Sequence, residues 1–210
     1  MPPCPPVLLL IFNRPDLTRQ VCAVLHRAGP AHLYVAADGP RPGRTGEAEL
    51  CHATRAVIQE FDWACPVTTL YRPANLGLRH AIPGAISWFF DQVEAGIILE
   101  DDCLPDPSFF PFCAEMLHRY TAHEKVMMVS GNNYQFGDGA PDAYSYDFSI
   151  FAFIWGWATW RRAWRQYDPA MRAWANATTR RALREHTADP DIYRHYAALF
   201  SAPNKTQRLR

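Results

Sequence analysis

Ile97-Ile98-Leu99-Glu100-Asp101-Asp102 carries three apolar residues straight into three consecutive acids. Apolar residues in a short unbroken run fit a strand buried on both faces. Three neighbouring carboxylates at its end repel one another, and partial burial raises the cost of ionising them. A divalent cation relieves both penalties, and Mg²⁺ or Mn²⁺ is commonly held by one or two carboxylates together with substrate phosphates. The run therefore reads in two ways: a metal–diphosphate site at the end of a central strand, or a solvated acidic turn.

The segments around it repeat one pattern. Pro6 to Phe12 is a strand, followed by Asn13-Arg14-Pro15-Asp16, a helix start with proline near the first position and an acid in the first turn. The helix carries Leu17, Val21, Val24 and Leu25 on one face and ends by Gly29-Pro30. Leu33 to Ala37 is a second strand, running into Asp38-Gly39-Pro40 and a Gly/Arg/Pro loop up to Gly46. A helical pattern follows over 47–61, then a third strand, Val67 to Tyr71. Asn75 to His80 reads as a loop and Ala81 to Val93 as an apolar helix ended by Gly96. Beyond the acids, Phe109 to His123 is an amphipathic helix, and Val126 to Val129 a strand ending in Ser130-Gly131-Asn132-Asn133. Strands alternating with helices give βαβ units and a largely parallel sheet. Such sheets bind ligands beyond the carboxyl ends of their strands. The polar residues gather at those ends: Asn13, Arg14, Asp38, Glu100 to Asp102, Asn132 and Asn133. That convergence favours the site reading of the acidic run. No G-x-G-x-x-G follows the first strand and no G-x-x-x-x-G-K-[ST] occurs, which argues against a dinucleotide site or a P-loop.

The 210 residues suit one good-sized domain, and 49% hydrophobic residues suffice for a substantial core. Formal net charge is zero, which argues against a general nucleic-acid binder. The cysteines at 4, 22, 51, 65, 103 and 113 form no C-x-x-C pair and read as reduced thiols. They point to a cytoplasmic setting. The apolar run Val7 to Phe12 is too short to span a bilayer and lacks the flanks of a signal peptide, so no transmembrane segment is expected.

From about residue 144 aromatic residues crowd the chain, with Trp155, Trp157, Trp160 and Trp164 inside ten positions. They are either core or a platform for sugar faces, and Gly156 would let backbone approach a ligand closely. Residues 170–200 read as one or two basic helices. The arginines at 161, 162, 165, 172, 180, 181 and 184 present either an ordinary solvated face or a peripheral contact with anionic lipid at the inner face of a membrane.

Taken in order, Leu9-Leu10-Ile11-Phe12-Asn13-Arg14-Pro15, Ala37-Asp38-Gly39, Asn75-Leu76-Gly77-Leu78-Arg79-His80, Glu100-Asp101-Asp102 and Trp155-Gly156-Trp157 resemble the GT-A nucleotide-diphospho-sugar glycosyltransferases. More narrowly they resemble bacterial members labelled hemolytic-protein-like, related to the N-acetylglucosaminyltransferase that opens complex N-glycan branching. The resemblance covers roughly residues 5–165. It implies a GT-A, Rossmann-like α/β fold: a mostly parallel central sheet flanked by helices, with an aromatic-rich C-terminal part. It implies a single domain over 1–210, with about 1–135 binding the nucleotide-sugar and about 136–210 on the acceptor side. Asp102 would be the ligand of Mn²⁺ or Mg²⁺, as the last acid of a DXD-like motif. Asp101 would face the donor sugar and Glu100 the ribose. Asp38 would accept a hydrogen bond from a uracil-type base, with Asn13, Arg14 and His80 near the nucleotide. Gly156 and Trp157 would form part of the sugar or acceptor pocket. Read without the resemblance, Arg14 is an ordinary helix-start arginine, Asp38 a turn cap and His80 a helix-entry residue.

The expected activity is metal-dependent transfer, with inversion, of a sugar from a UDP- or other nucleoside-diphosphate sugar to a glycan or other acceptor. Two alternatives stand beside it: a nucleotide-sugar or glycan binding module of the same fold without turnover, and a nucleotidyltransferase. The Trp-Asp-Tyr or Trp-Asp-Asp-Trp type segment that carries the candidate base in the relatives is missing, and Asp168, Asp189 and Asp191 sit in no matching motif. The expectation is a chain shortened at its C-terminus or a base drawn from elsewhere.

Overall fold

Four strands, β1 (Val7–Ile11), β2 (Leu33–Ala37), β3 (Val67–Tyr71) and β4 (Ala95–Glu100), pair in parallel in the spatial order β3-β2-β1-β4. The computed structural model describes residues 3–132, 145–187 and 189–201. β1 and β2 are buried along nearly their whole length, which is why they read as unbroken apolar runs. β3 lies at the edge and its two threonines face solvent. Beyond β4 the sheet continues with β6 (Trp157–Trp160) and β5 (Val129–Ser130), β6 being antiparallel to both neighbours. The α/β class and the mostly parallel, helix-flanked sheet expected from the sequence are what the structure has.

The helices follow from the crossovers. α1 (Pro15–Ala28) starts on Pro15 and stops at Gly29, whose left-handed backbone (φ 59°) lets its N–H bond Leu25 O at 3.0 Å. α2 (Glu47–Ala56) continues as a short 3-10 turn, Val57–Glu60. α1 and α2 connect strands laid down in one direction, whereas α3 (Leu78–Gln92) returns the chain across β1 to β4, so right-handed crossovers put α3 on the opposite face. There Ala85, Ile86, Phe89 and Phe90 pack on Leu8, Tyr34, Ala36 and Ile98. α4 (Phe109–Arg119) buries Phe109, Phe110, Cys113 and Leu117.

Several expectations shift. Leu78, Arg79 and His80 form the first turn of α3 rather than the end of a loop. Gly96 belongs to β4 and does not end the preceding helix; a Cβ there would collide with the Phe89 ring and lie 2.8 Å from Pro6 O, so close packing requires glycine. The aromatic stretch supplies a strand that periodicity did not reveal. Trp160 is buried, with its indole N–H on Leu117 O at 3.1 Å. Trp157 packs on the α3-side core, and Trp164 donates to Ser87 Oγ at 3.0 Å. Only Trp155 of the four is largely exposed, at 58%.

A short helix, α5 (Arg161–Trp164), turns the basic residues inward. Arg161 donates to the carbonyls of Phe90 and Val93 at the end of α3, and Arg162 to those of Tyr120, Thr121, His123 and Val126 beyond α4. These two arginines satisfy orphan helix-end carbonyls rather than forming a solvated or lipid-facing stripe.

The chain divides into two units, Met1–Pro141 with Ala152–Arg165, and Asp142–Phe151 with Gln166–Arg210. The first holds the whole sheet. The second contains α6 (Ala177–Thr187) and α7 (Pro190–Ser201), with Trp174 packed edge-on against Phe200 and bonded to Ser201 Oγ. Its acids are engaged locally: Asp168 binds Arg172, Asp189 accepts the Asp191 N–H and Asp191 pairs with Arg194. Asn133 and the tail from Pro203 to Arg210 lie outside the described residues.

Candidate functional site

β1 and β4 are adjacent although the chain visits β2 and β3 between them. This is the topological switch point, and the crevice beyond the carboxyl ends of these two strands is where open α/β sheets bind ligands. β1 delivers Phe12, Asn13 and Arg14 to it, and β4 delivers Glu100, Asp101 and Asp102.

The two deliveries meet. Arg14 Nη1 lies 2.8 Å from Asp102 Oδ2 and 3.5 Å from Asp101 Oδ1. Asp101 is buried and also takes the Phe12 backbone N–H. Its carboxyl is held above the ordinary range by desolvation and by Asp102, with Arg14 and the Phe12 N–H opposing. Glu100, the last residue of β4 and opposite Leu10 in register, is raised by burial and then by Asp102 and Asp101. Arg14 is raised in turn, first by its bond to Asp102 and then by Asp101. One arginine therefore faces three carboxylates, a local excess of negative charge.

Asp102 is the accessible member, with 47% of its side chain exposed. Its second oxygen has the Cys103 thiol at 4.0 Å. Among the described residues no three His, Cys, Asp or Glu side chains converge into a cation cage. A hard divalent cation bound here would thus be held by Asp102 and by oxygens of the ligand, the coordination such ions commonly adopt at phosphates, so the donor set fits.

Gly156 stands at the same edge, because β6 runs antiparallel and begins where β4 ends. Its φ of 76° belongs to the left-handed region that favours glycine, its N–H reaches Cys103 and its carbonyl takes the Gly131 N–H at 3.1 Å. Trp157 sits opposite Ile98 and is half-buried against the core.

The remaining expected residues organise the neighbouring loops. Asp38 follows β2, and its carboxylate accepts the backbone N–H groups of Gly39, Leu76 and Gly77 at 3.0–3.1 Å. It fastens the loop after β3 to the end of β2. Asn75 reinforces this by donating to Gly39 O at 2.8 Å, and the two loops run so close that a Cβ on Gly39 would collide with the Ala74 backbone. His80 is exposed on the first turn of α3 and hydrogen-bonds none of the acids through its ring. Asn13 reaches α2, donating to Glu47 Oε1 at 3.3 Å.

Glu47 is the residue that reading the sequence missed. It is 5% exposed and binds Asn13 and Arg41. A helix-start glutamate after a Gly/Arg loop looks like an ordinary complement to the helix dipole. Only the loops carrying Asn13 and Arg41, which the fold brings over it, bury it.

No family model matches the chain, and no curated protein does. Several solved structures are similar to it. One is the mannosyltransferase PcManGT from Pyrobaculum calidifontis in complex with GDP-Man and Mn²⁺, at 16% identity over 65% of this chain, TM-score 0.45. The chain spans 37% of that protein's length. Another is 4-diphosphocytidyl-2C-methyl-D-erythritolsynthase from Anaerococcus prevotii DSM 20548, at 9% identity over 74% of this chain and 70% of that one, TM-score 0.42.

Proposed function

We propose that this chain is a glycosyltransferase of the GT-A, hemolytic-protein-like kind, which binds a nucleoside-diphosphate sugar, with UDP-sugars favoured, through Mn²⁺ or Mg²⁺. The observation that carries the reading is the pairing of Arg14 with Asp101 and Asp102 across the β1/β4 switch point, with acids in excess. A bound divalent cation would offset the charge that collects on the departing nucleoside diphosphate. Asp102 is its protein ligand. Arg14 lies within reach of the same crevice and adds a fixed positive charge beside the diphosphate. Asp101, buried and held by the Phe12 N–H, keeps a carboxylate oriented toward the donor sugar, and Glu100 lies on the ribose side.

Asp38 shapes the nucleoside end by fixing the 75–77 loop, with Asn13 and His80 on its margins. Gly156 and Trp157 border the acceptor side, where a glycan or other hydroxyl-bearing acceptor would approach. The six free thiols suit a reducing, cytoplasmic setting. Among the described residues no helix is long and apolar enough to cross a membrane.

The test is turnover. Incubation with a panel of UDP-hexoses and UDP-N-acetylhexosamines should release UDP in the presence of Mn²⁺ and not in EDTA, with the sugar appearing on water or on an added acceptor. Release of pyrophosphate from a nucleoside triphosphate and a sugar phosphate, with no cleavage of any nucleotide-sugar, would instead make the chain a nucleotidyltransferase.

A further inference from the structure

On the other side of β1 from the acids lies a second arginine–carboxylate assembly that the proposed chemistry leaves unused. Glu47, its side chain only 6% exposed, accepts the backbone N–H of Arg41 at 2.7 Å, the Arg41 Nε–H at 3.0 Å and an Arg41 Nη2–H, besides the Asn13 amide. The Arg41 guanidinium also lies over the Phe12 ring, 5.6 Å from its centroid. The loops leaving β1 and β2 are thus joined through one buried carboxylate.

A buried ion pair is weak support for stability, since apolar residues of similar volume fill such a place as well or better. What this one achieves is placement. One edge of the guanidinium, Nε–H with Nη2–H, is fixed on Glu47 and one face lies over Phe12, yet 49% of the Arg41 side chain remains exposed. Nη1, with two N–H donors, has no acceptor among the described residues. Arg41 therefore presents a rigid, charged, planar group with an open edge and an open face. Planar acceptors and aromatic rings are the partners such a group takes.

Position selects between ligand parts. Open α/β sheets bind ligands in the crevice at the switch point, and those that hold a dinucleotide place the pyrophosphate there and the ribose toward the end of the second strand; a nucleotide held here by its diphosphate at the β4 acids would extend the same way. Arg41 is on the β2 loop, three residues after Asp38, whose carboxylate already accepts three backbone N–H groups. We infer that Arg41 is a contact for the nucleobase of the bound nucleotide, by stacking or by donation from its free edge, and that Glu47 is the positioning residue that holds it there. The inference rests on the nucleotide-sugar reading above and names which end of the donor this side of the crevice takes.

The test separates the two ends of the ligand. UDP, uridine and inorganic pyrophosphate, each with Mn²⁺, are titrated into the wild-type chain, Arg41→Ala and Glu47→Gln, with thermal melts as a folding control. Arg41→Lys, titrated beside them, keeps a positive charge next to the Glu47 carboxylate but gives up the planar fork, so it keeps the test interpretable if Arg41→Ala or Glu47→Gln melts early, and it should lose UDP and uridine affinity in the same direction. The expected result is about a tenfold loss of UDP and uridine affinity in Arg41→Ala, the scale of one charged hydrogen bond, with pyrophosphate affinity unchanged. Glu47→Gln should lose part of the same affinity and none for pyrophosphate. An Arg41→Ala chain that binds UDP as wild type does, or that loses pyrophosphate as strongly as UDP, overturns the assignment. A wild-type chain that binds pyrophosphate but not uridine overturns it while leaving the diphosphate site standing; one that binds none of the three overturns the donor reading with it.

Discussion

The two flanks of β1 carry arginine–carboxylate assemblies built to opposite ends. On the β2 flank one carboxylate, Glu47, is enclosed and saturated, and Arg41 draws its carboxyl down to about 2. On the β4 flank three carboxylates share Arg14, and burial together with mutual repulsion pushes Glu100 and Asp101 above their ordinary range. The first is electrostatically closed and serves as a rigid wall. The second is open, short of positive charge, and accessible through Asp102. The contrast teaches that a strand end rich in acids invites a cation only where the protein's own arginines fall short.

The comparison can be broken most severely at Gly39. Its close approach to Ala74 backbone is what lays the β2 and β3 loops together. Gly39→Ala should cost about 1–3 kcal/mol in chemical denaturation, as overpacking does, and weaken nucleotide binding by shifting the wall. An unchanged midpoint would mean that the loops are not held at this distance. Glu47→Gln should lower the melting temperature more than Asp102→Asn does, because the Arg14–Asp102 pair is half-exposed and worth about 0–1 kcal/mol to folding. Equal shifts would erase the distinction between the flanks.

Titration sharpens it further, since the slopes are opposite. Glu47 has a folded value below its unfolded one, so its contribution is full above the ordinary carboxylate range and is lost as pH falls toward about 2. Glu100 and Asp101 have folded values above their unfolded ones, so stability from that flank falls as pH rises through the carboxylate range. Mn²⁺ should therefore raise the melting temperature more at pH 7 than at acid pH, where Glu100 and Asp101 regain their protons. A shift of equal size at both would place the cation elsewhere. The smallest effect is a negative one: Asp168→Asn, in a carboxylate bound to Arg172, should leave Mn²⁺-dependent nucleotide affinity within twofold of wild type, about 0.4 kcal/mol.

How much of this was legible in the sequence depended on the range of the interaction. β1, β2 and β4 are buried on both faces and announce themselves as apolar runs. Their polar ends converge because parallel topology gathers carboxyl ends at one edge, so Arg14, Asp38 and the acids could be placed at one edge from order alone. Strand β6 was hidden because tryptophans fit a core, a platform or a strand equally well. Two of the three partners of Asp38 are 38 and 39 residues away, and those of Arg161 and Arg162 more distant still in most cases. Nothing local marks an arginine that closes a helix end as different from one in solvent. Glu47 failed for the same reason, since its burial is created by loops that only the fold brings together.

On the reading proposed above, the β4 acids form a cation-dependent site for a nucleoside diphosphate. Titration calorimetry of UDP, GDP and dTDP into the wild-type chain and Asp102→Ala, with Mn²⁺ and with EDTA, tests it most directly. At least one nucleotide, UDP first, should bind the wild-type chain only with Mn²⁺. Asp102→Ala should lose about a hundredfold or more of that affinity, roughly 2.7 kcal/mol, while its circular dichroism and melting temperature stay close to wild type. Binding that survives both EDTA and Asp102→Ala, or a folded wild-type chain that binds none of the three, would contradict it.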